Sequence, residues 1–461
     1  MKVKKRNWFA RQLESEQFTT KQIIGMLIPL ILDQLFIYMI GLLTTSMISS
    51  SGEDSVTAVS LVTPVVTLIT AVFTALSSGG AIVVAQYKGH GDREKLQEAI
   101  GQTIWICVIL AVVLNGLIAA FASPLVNLLF GAAEEGVREK ATLYLAGMAI
   151  NTIVHSLRVA TSAGLRGVGD IKHNLFGSIL INVSYFIFCY IFINLLQWDI
   201  VGTLVAYFLA RFLGLLSSLY FLFFQKNSQV HIRLSQMLKP KLTYLKSIWK
   251  LGIPFCAEEV FFNGGAILVS AYMVFLGTVS VAAHAIANSI FSTLYAPTMA
   301  VGILATTVIG QCIGAGRRDL AQWYGKKLIL LGYGVALISL IAMLPMLSWI
   351  ISLYQPQAET QSLVYQLLAI GIAGMILFWP VSNIMPSVLR AAGDAYFTTV
   401  ASLIAMWVFR VGMGYVISIP MGYGIRGIWY CMIAEWVVRC IFYVLRYRGG
   451  RWLQKKTVVE S

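Results

Sequence analysis

Stretches of twenty or more mostly apolar residues recur along the chain, separated by short polar segments. They fall near 22–48, 56–84, 97–123, 141–164, 174–197, 202–224, 248–275, 281–309, 327–352, 362–388, 397–419 and 424–446. About twenty apolar residues is the length an α-helix needs to cross hydrocarbon, so the pattern predicts twelve transmembrane helices. The ten-residue alternation that marks a membrane β-barrel is missing. The first 21 residues are polar and basic. The apolar run after them is long enough to stay as a helix, so no cleavable signal peptide is expected. The predicted class is an all-α integral membrane protein.

The polar positions carry a second regularity. At a shift of 225 residues, Pro29 falls on Pro254, Phe36 on Phe261, Ser55 on Ser280, Gln86 on Gln311, Gly91 on Gly316 and Arg93 on Arg318. A shift of 224 brings Leu165-Arg166 onto Leu389-Arg390 and Gly169-Asp170 onto Gly393-Asp394. Apolar coincidences are cheap in such a sequence; Pro, Gly, Gln and Arg at a constant offset are not. The chain therefore reads as two six-helix lobes, 1–225 and 226–461, with 226–247 as a cytoplasmic inter-lobe loop. Six spans per copy make the copies parallel repeats, related by an axis along the membrane normal.

Composition agrees with the pattern: 58% of the 461 residues are hydrophobic and 12% are charged. The net charge of +14 changes the picture only through its placement. Lys2, Lys4, Lys5, Arg6, Arg11 and Lys21, the central Lys226, Arg233, Lys239, Lys241, Lys246 and Lys250, and the tail Arg446, Arg448, Arg451, Lys455 and Lys456 all fall on one side of the predicted topology. The other side holds little more than Arg138, Lys140 and Arg426. An excess of Lys and Arg in short loops marks the cytoplasmic face, so both termini are expected inside a cell membrane. Such loops suit anionic lipid headgroups, and nucleic acid is not an expected partner. The six cysteines lie in or beside apolar segments with no C-x-x-C pair; they read as packing thiols.

Ionisable residues inside the spans are costly to bury and commonly face a cavity or a partner. Asp33 lies about eleven residues into the first span, roughly half the membrane depth at about 1.5 Å per residue. Glu258 sits at the repeat-equivalent place in the seventh span, and Glu259 follows it. Both Asp33 and Glu258 come four residues after a proline, Pro29 or Pro254, a residue that removes a helical hydrogen bond. Asp33, Glu258 and Glu259 are therefore the candidate sites for a cationic substrate, H⁺ or Na⁺. No other metal is expected. Phe36, Tyr38, Phe261 and Phe262 flank the acids and are candidate cavity walls for organic cations. Arg158 and Arg211 are candidate counter-ions. Glu435 and Arg439, four residues apart, can neutralise each other on one helix face. His155 and His284 read as hydrogen-bonded packing residues. No H-E-x-x-H, G-x-S-x-G or cysteine cluster points to an enzyme, and no filter-like motif points to a channel.

Several segments together resemble the multidrug and toxic compound extrusion (MATE) family of secondary transporters. They are "SVTAVSLVTPV", "GGAIVVAQYKGHGD" and "LRGVGD" in the first half. In the second half they are "LGIPFCAEEVFF", "VSVAAHAIANSIFS", "IGQCIGAGRRD", "VLRAAGD" and "MWVFRVGMGYV". The resemblance spans nearly the whole chain. It implies two six-helix lobes around a central cavity, and export of organic cations in exchange for Na⁺ or H⁺. The chain also departs from the family. Where many relatives carry an Asp late in the first span, it has Leu43, Thr44 and Thr45. Where some carry an acid in the fifth span, four residues after an Asn, Asn182 is followed by Phe186. Relatives with an acid in the seventh span place it about one turn after the position of Glu258. Asp33 and Glu258 thus rest on burial and symmetry. Arg410 matches the family's F-R pair in the eleventh span and reads as structural.

The expected function is multidrug efflux by cation-coupled antiport, with a coupling ion but no cofactor. Small organic cations and membrane lipids are the expected partners, the working unit a monomer and the setting a bacterial cell membrane. A lipid-linked oligosaccharide flippase of the same superfamily is the closest rival, kept open by Arg158 and Arg211. A non-transporting membrane sensor is the third reading.

Overall fold

A computed structural model describes residues 13–48, 53–131, 133–224 and 241–458, without the side chains at 38–48, 53 and 242. Among the described residues there is no strand, and twelve helices are long and apolar enough to cross a membrane. We number them in chain order: α1 Thr20–Ile48, α2 Glu53–His90, α3 Arg93–Ala120, α4 Glu135–Val168, α5 Ile171–Leu195, α6 Asp199–Phe223, α7 Leu242–Met273, α8 Thr278–Gly314, α9 Arg318–Leu353, α10 Ala358–Ala391, α11 Ala395–Ser418 and α12 Gly424–Arg448. All twelve expected spans are present. Several outrun their apolar stretch: α2 carries Gln86 to His90 beyond it, and α8 reaches Gly314. Hydropathy ends where hydrocarbon ends, whereas the backbone ladder runs on until a residue stops it. The helices continue through Pro29, Pro64, Pro254, Pro297, Pro380 and Pro386. Membrane helices tolerate proline because neighbouring groups satisfy the freed carbonyls.

The repeat reappears in the geometry of the helix ends. Gly169, after α4, and Gly393, after α10, both adopt left-handed φ values, 88° and 96°. At each, the following Asp amide donates back to a leucine carbonyl, Asp170 to Leu165 (2.9 Å) and Asp394 to Leu389 (3.0 Å). This is a Schellman closure, which needs a residue at ease with positive φ. The L-R-x-x-G-D spacing seen in the sequence is therefore a stop signal used twice. After α2, the Asp92 carboxylate caps α3 by accepting from the Lys95 amide (3.0 Å), a typical N-cap contact.

The described residues form two compact units, 36–259 and 1–35 with 260–461. They are a partition by packing, distinct from the repeat halves 1–225 and 226–461, and their borders fall inside α1 and α7. Most of the central loop (225–240) lies outside the described residues.

In the 36–259 unit, α2 packs along α4 and against the first half of α7. A Cβ placed on Gly79 of α2 would lie 2.9 Å from the Gly252 backbone of α7, and one on Gly252 would lie 2.8 Å from Leu76 Cδ1 of α2, so the two helices approach closely at this seam. One turn on, Cys256 donates through Sγ to the Val72 carbonyl at 3.3 Å. Close backbone approach through small residues is how membrane helices associate without a hydrophobic driving force. The segment before α7 is held by Lys241, whose amide donates to Gln102 (3.0 Å) and whose Nζ meets Glu98 (2.5 Å) on α3.

The other unit has an aromatic centre. Phe291, Trp379, Trp429 and Trp436 stack or meet edge-on at centroid distances of 4.9–6.0 Å. Trp429 donates its indole N–H to His284 Nδ1 (3.2 Å), so His284 is a hydrogen-bonded packing residue. Residues ahead of α1 dock on the same unit. Ser15 bonds the Tyr324 hydroxyl (2.6 Å), Gln17 the Gln311 carbonyl (3.1 Å), and Glu16 pairs with Arg317 (2.7 Å). The tail returns through buried Trp452, stacked on Tyr447 at 5.1 Å. All six cysteines are free thiols.

Candidate cation site

Asp33 and Glu258 are both buried inside their helices, at 5% and 8% exposure. Depth and proline spacing put each carboxylate well inside a span. Neither α1 nor α7 stops there, since both helices run on past the acid. Asp33 belongs to the unit containing 1–35, and Glu258 and the half-buried Glu259 belong to the 36–259 unit. Each compact unit thus holds a buried carboxylate of its own on a proline-bearing helix. Among the described residues no three His, Cys, Asp or Glu side chains cluster as a metal site.

The aromatic candidates divide. Phe36 is half-buried beside Asp33, and the side chain of Tyr38 lies outside the described residues. Phe261 is 49% exposed and meets Trp407 edge-on at 6.3 Å. Phe262 lies under the Arg410 guanidinium at 5.6 Å, so one of its faces already carries a cation from within the protein.

The basic candidates lie together in the 36–259 unit. Arg158 on α4 is buried and donates to Ser178 (3.0 Å) and Asn174 (3.4 Å) on α5. Ser162 bonds the same Asn174 oxygen. Arg211 on α6 stacks over Tyr207 at 4.6 Å. His155, one turn before Arg158, lies within electrostatic reach of both arginines.

The remaining intramembrane charges form a closed set. Glu435 on α12 is fully buried; Arg439 Nη1 lies 3.3 Å from its Oε1, and Arg410 Nε lies 3.2 Å from its Oε2. The Glu435–Arg439 spacing is visible in sequence, but the third member is not. Arg410 is delivered by a π-helical stretch, Ala405–Met413, in α11, and wide turns of this kind re-aim side chains. Other ion pairs not announced by the sequence include Asp394 with Arg446 (2.6 Å) and Asp199 with Lys140 (3.4 Å). The G-D stop at Gly393-Asp394 marks the acid of the first of them in the sequence.

A family model, MatE, matches residues 29–191 and 254–416, two stretches 225 residues apart at both ends. The "Uncharacterized transporter YisQ" of Bacillus subtilis is 22% identical over 93% of this chain and 94% of its own length. The "Probable multidrug resistance protein NorM" of Thermotoga maritima is 22% identical over 95% of this chain and 94% of its own length. A crystal structure of a MATE protein in complex with MaL6 superposes with a TM-score of 0.86 at 19% identity, covering 98% of this chain and 100% of that one. Twelve membrane-length helices, a doubled architecture and a family match in both halves lead to one conclusion. This chain belongs to the MatE family, as a multi-pass membrane transporter and not an enzyme.

Proposed function

We propose that this transporter exports amphipathic organic cations, exchanging them for H⁺ or Na⁺ at Asp33 or Glu258. The observation that carries the reading is the repeat-related pair of buried carboxylates, one in each compact unit. A carboxylate inside hydrocarbon is costly to keep charged and unaccompanied. It is stabilised by a bound cation, whether substrate, Na⁺ or proton, and it can hold only one at a time. Competition for that single charge couples two fluxes of opposite direction. Parallel six-helix repeats suit alternating access, because one bundle can move against the other. Export of drugs accords with the NorM relative, which is named a multidrug resistance protein. The working unit is a monomer in a bacterial cell membrane, with both termini in the cytoplasm as the Lys and Arg distribution indicates.

The test is uptake of a fluorescent organic cation by proteoliposomes under an imposed pH gradient and then an imposed Na⁺ gradient. Asp33→Asn and Glu258→Gln are compared with the native protein. Loss of gradient-driven flux in one or both variants supports the reading; full flux in both sinks it.

A further inference from the structure

We propose that the 36–259 unit holds a second site, for an anion, in which Arg211 receives a carboxylate or phosphate group carried on an aromatic body. It goes beyond cation exchange at Asp33 and Glu258 and does not depend on it.

Arg211 is the thirteenth residue of the 25-residue α6. At about 1.5 Å per residue it lies roughly 18 Å from either end of the helix, too far for its side chain to reach headgroups at the membrane surface, so a lipid could meet it only by bringing its headgroup into the protein. Among the described residues Arg211 makes no hydrogen bond and no ion pair, and its Nη1 is buried without a partner. This is not the usual state of an intramembrane arginine, which pairs with an acid or with carbonyls. The same chain supplies the contrast, since Arg410 and Arg439 share Glu435.

The groups around Arg211 are phenols. Tyr207, one turn back on α6, lies beneath the guanidinium. Tyr144 of α4 and Tyr185 of α5 complete the set that acts on it electrostatically, with no carboxylate among them. Tyr185 packs on Tyr207 at a tilt, with centroids 4.3 Å apart, so these two rings hold each other in place. A further positive neighbour, Arg158, lies beyond His155. Beside it Ser217 Oγ is buried with no partner, and a Cβ on Gly177 would touch Arg158 Nη2 and Ser217 Oγ at 3.5 Å each.

A guanidinium offers a planar fork of donors that fits carboxylate and phosphate oxygens in pairs. The neighbouring phenol rings make the surroundings aromatic, which suits an anion carried on an aromatic body. An anion bound there supplies the charge that the protein withholds. Carboxylate and phosphate, whether on a free ligand or a lipid headgroup, share this chemistry.

Full-length protein in phosphatidylcholine nanodiscs is titrated with naphthoate and with acetylnaphthalene, its neutral match in shape, by calorimetry. Naphthoate is expected to bind more tightly by about tenfold or more, a difference of about 1.4 kcal/mol, with naphthyl phosphate behaving likewise. Arg211→Gln is expected to erase the preference and Arg211→Lys to keep part of it. Repeating the titration in nanodiscs containing phosphatidic acid separates the sources: displacement of naphthoate assigns the site to a lipid headgroup, and undiminished binding assigns it to a free ligand. Equal affinity for naphthoate and acetylnaphthalene in the native protein overturns the proposal, as does an unchanged preference in Arg211→Gln. The native comparison decides the matter if that variant does not fold.

Discussion

Lys241 Nζ lies 2.5 Å from Glu98 Oε1, tying the segment that enters α7 to the second turn of α3. One repeat earlier, the residue equivalent to Lys241 is Glu16, and it is tied to Arg317 at 2.7 Å. The same place in each copy is anchored by an ion pair, with the signs exchanged. The Glu98 side chain is only 10% exposed, while that of Lys241 is 51% exposed. Removing the lysine therefore leaves a nearly buried carboxylate without its cation, at a cost of about 1–3 kcal/mol. Lys241→Ala should lower the melting temperature in detergent, and adding Glu98→Gln should recover part of the loss. A single variant that melts with the native protein would show the pair to be inert.

Glu435 is held by two arginines, so its loss should outweigh the loss of either. Glu435→Gln removes the anion shared by buried Arg439 and half-buried Arg410, an effect of about 3–5 kcal/mol. Arg439→Gln should cost less, because Arg410 still faces the carboxylate. Melting temperatures of the two variants give the order directly, and the reverse order would contradict the shared-anion arrangement.

Gly393 should reject a side chain for a backbone reason, since its φ of 96° costs an L-residue about 1–3 kcal/mol. Gly264 lies inside α7, and a Cβ there would meet nothing within 4 Å. Gly264→Ala should stabilise by about 0.5–1 kcal/mol through helix propensity. Opposite shifts in denaturant midpoint are expected for these two alanine variants.

Asp92 gives a pH signature. The Lys95 amide that it caps holds its carboxyl below the ordinary value of 3.8. A carboxyl whose pKa is depressed by folding contributes stability that is present above its unfolded pKa and lost as pH falls through the folded one. The stability gap between the native protein and Asp92→Asn should therefore close as pH drops below about 4, and stay level above it. A gap that widens on acidification would contradict the capping geometry.

The twelve spans and the 225-residue repeat were legible because hydrocarbon imposes a length and a composition on every crossing. The stops at Gly169 and Gly393 were legible as a shared motif, since the turn demands glycine. What escaped the sequence depends on groups far apart along the chain. Arg410 and Glu435 meet across two helices through a π-helical stretch that no local pattern announces. Phe262 read as a candidate cavity wall, and Arg410 lies on one of its faces. The borders of the compact units fall within α1 and α7, where composition is uniform and only packing distinguishes the two sides. Asp33 and Glu258 were singled out by depth and symmetry, and both side chains are buried.

The Gly79–Gly252 contact has a mechanical meaning. Most helix interfaces carry interlocking side chains, which can change rotamer and absorb a small displacement. Backbone against backbone has no such slack, and the Cys256–Val72 bond pins the same seam one turn further on. A push on α2 at this level should pass to the first half of α7 with little slack. Glu258 rides on that half, two residues past the pin. Any tilt of α2 should carry this carboxylate with it, whereas a leucine pair at the seam would let it lag.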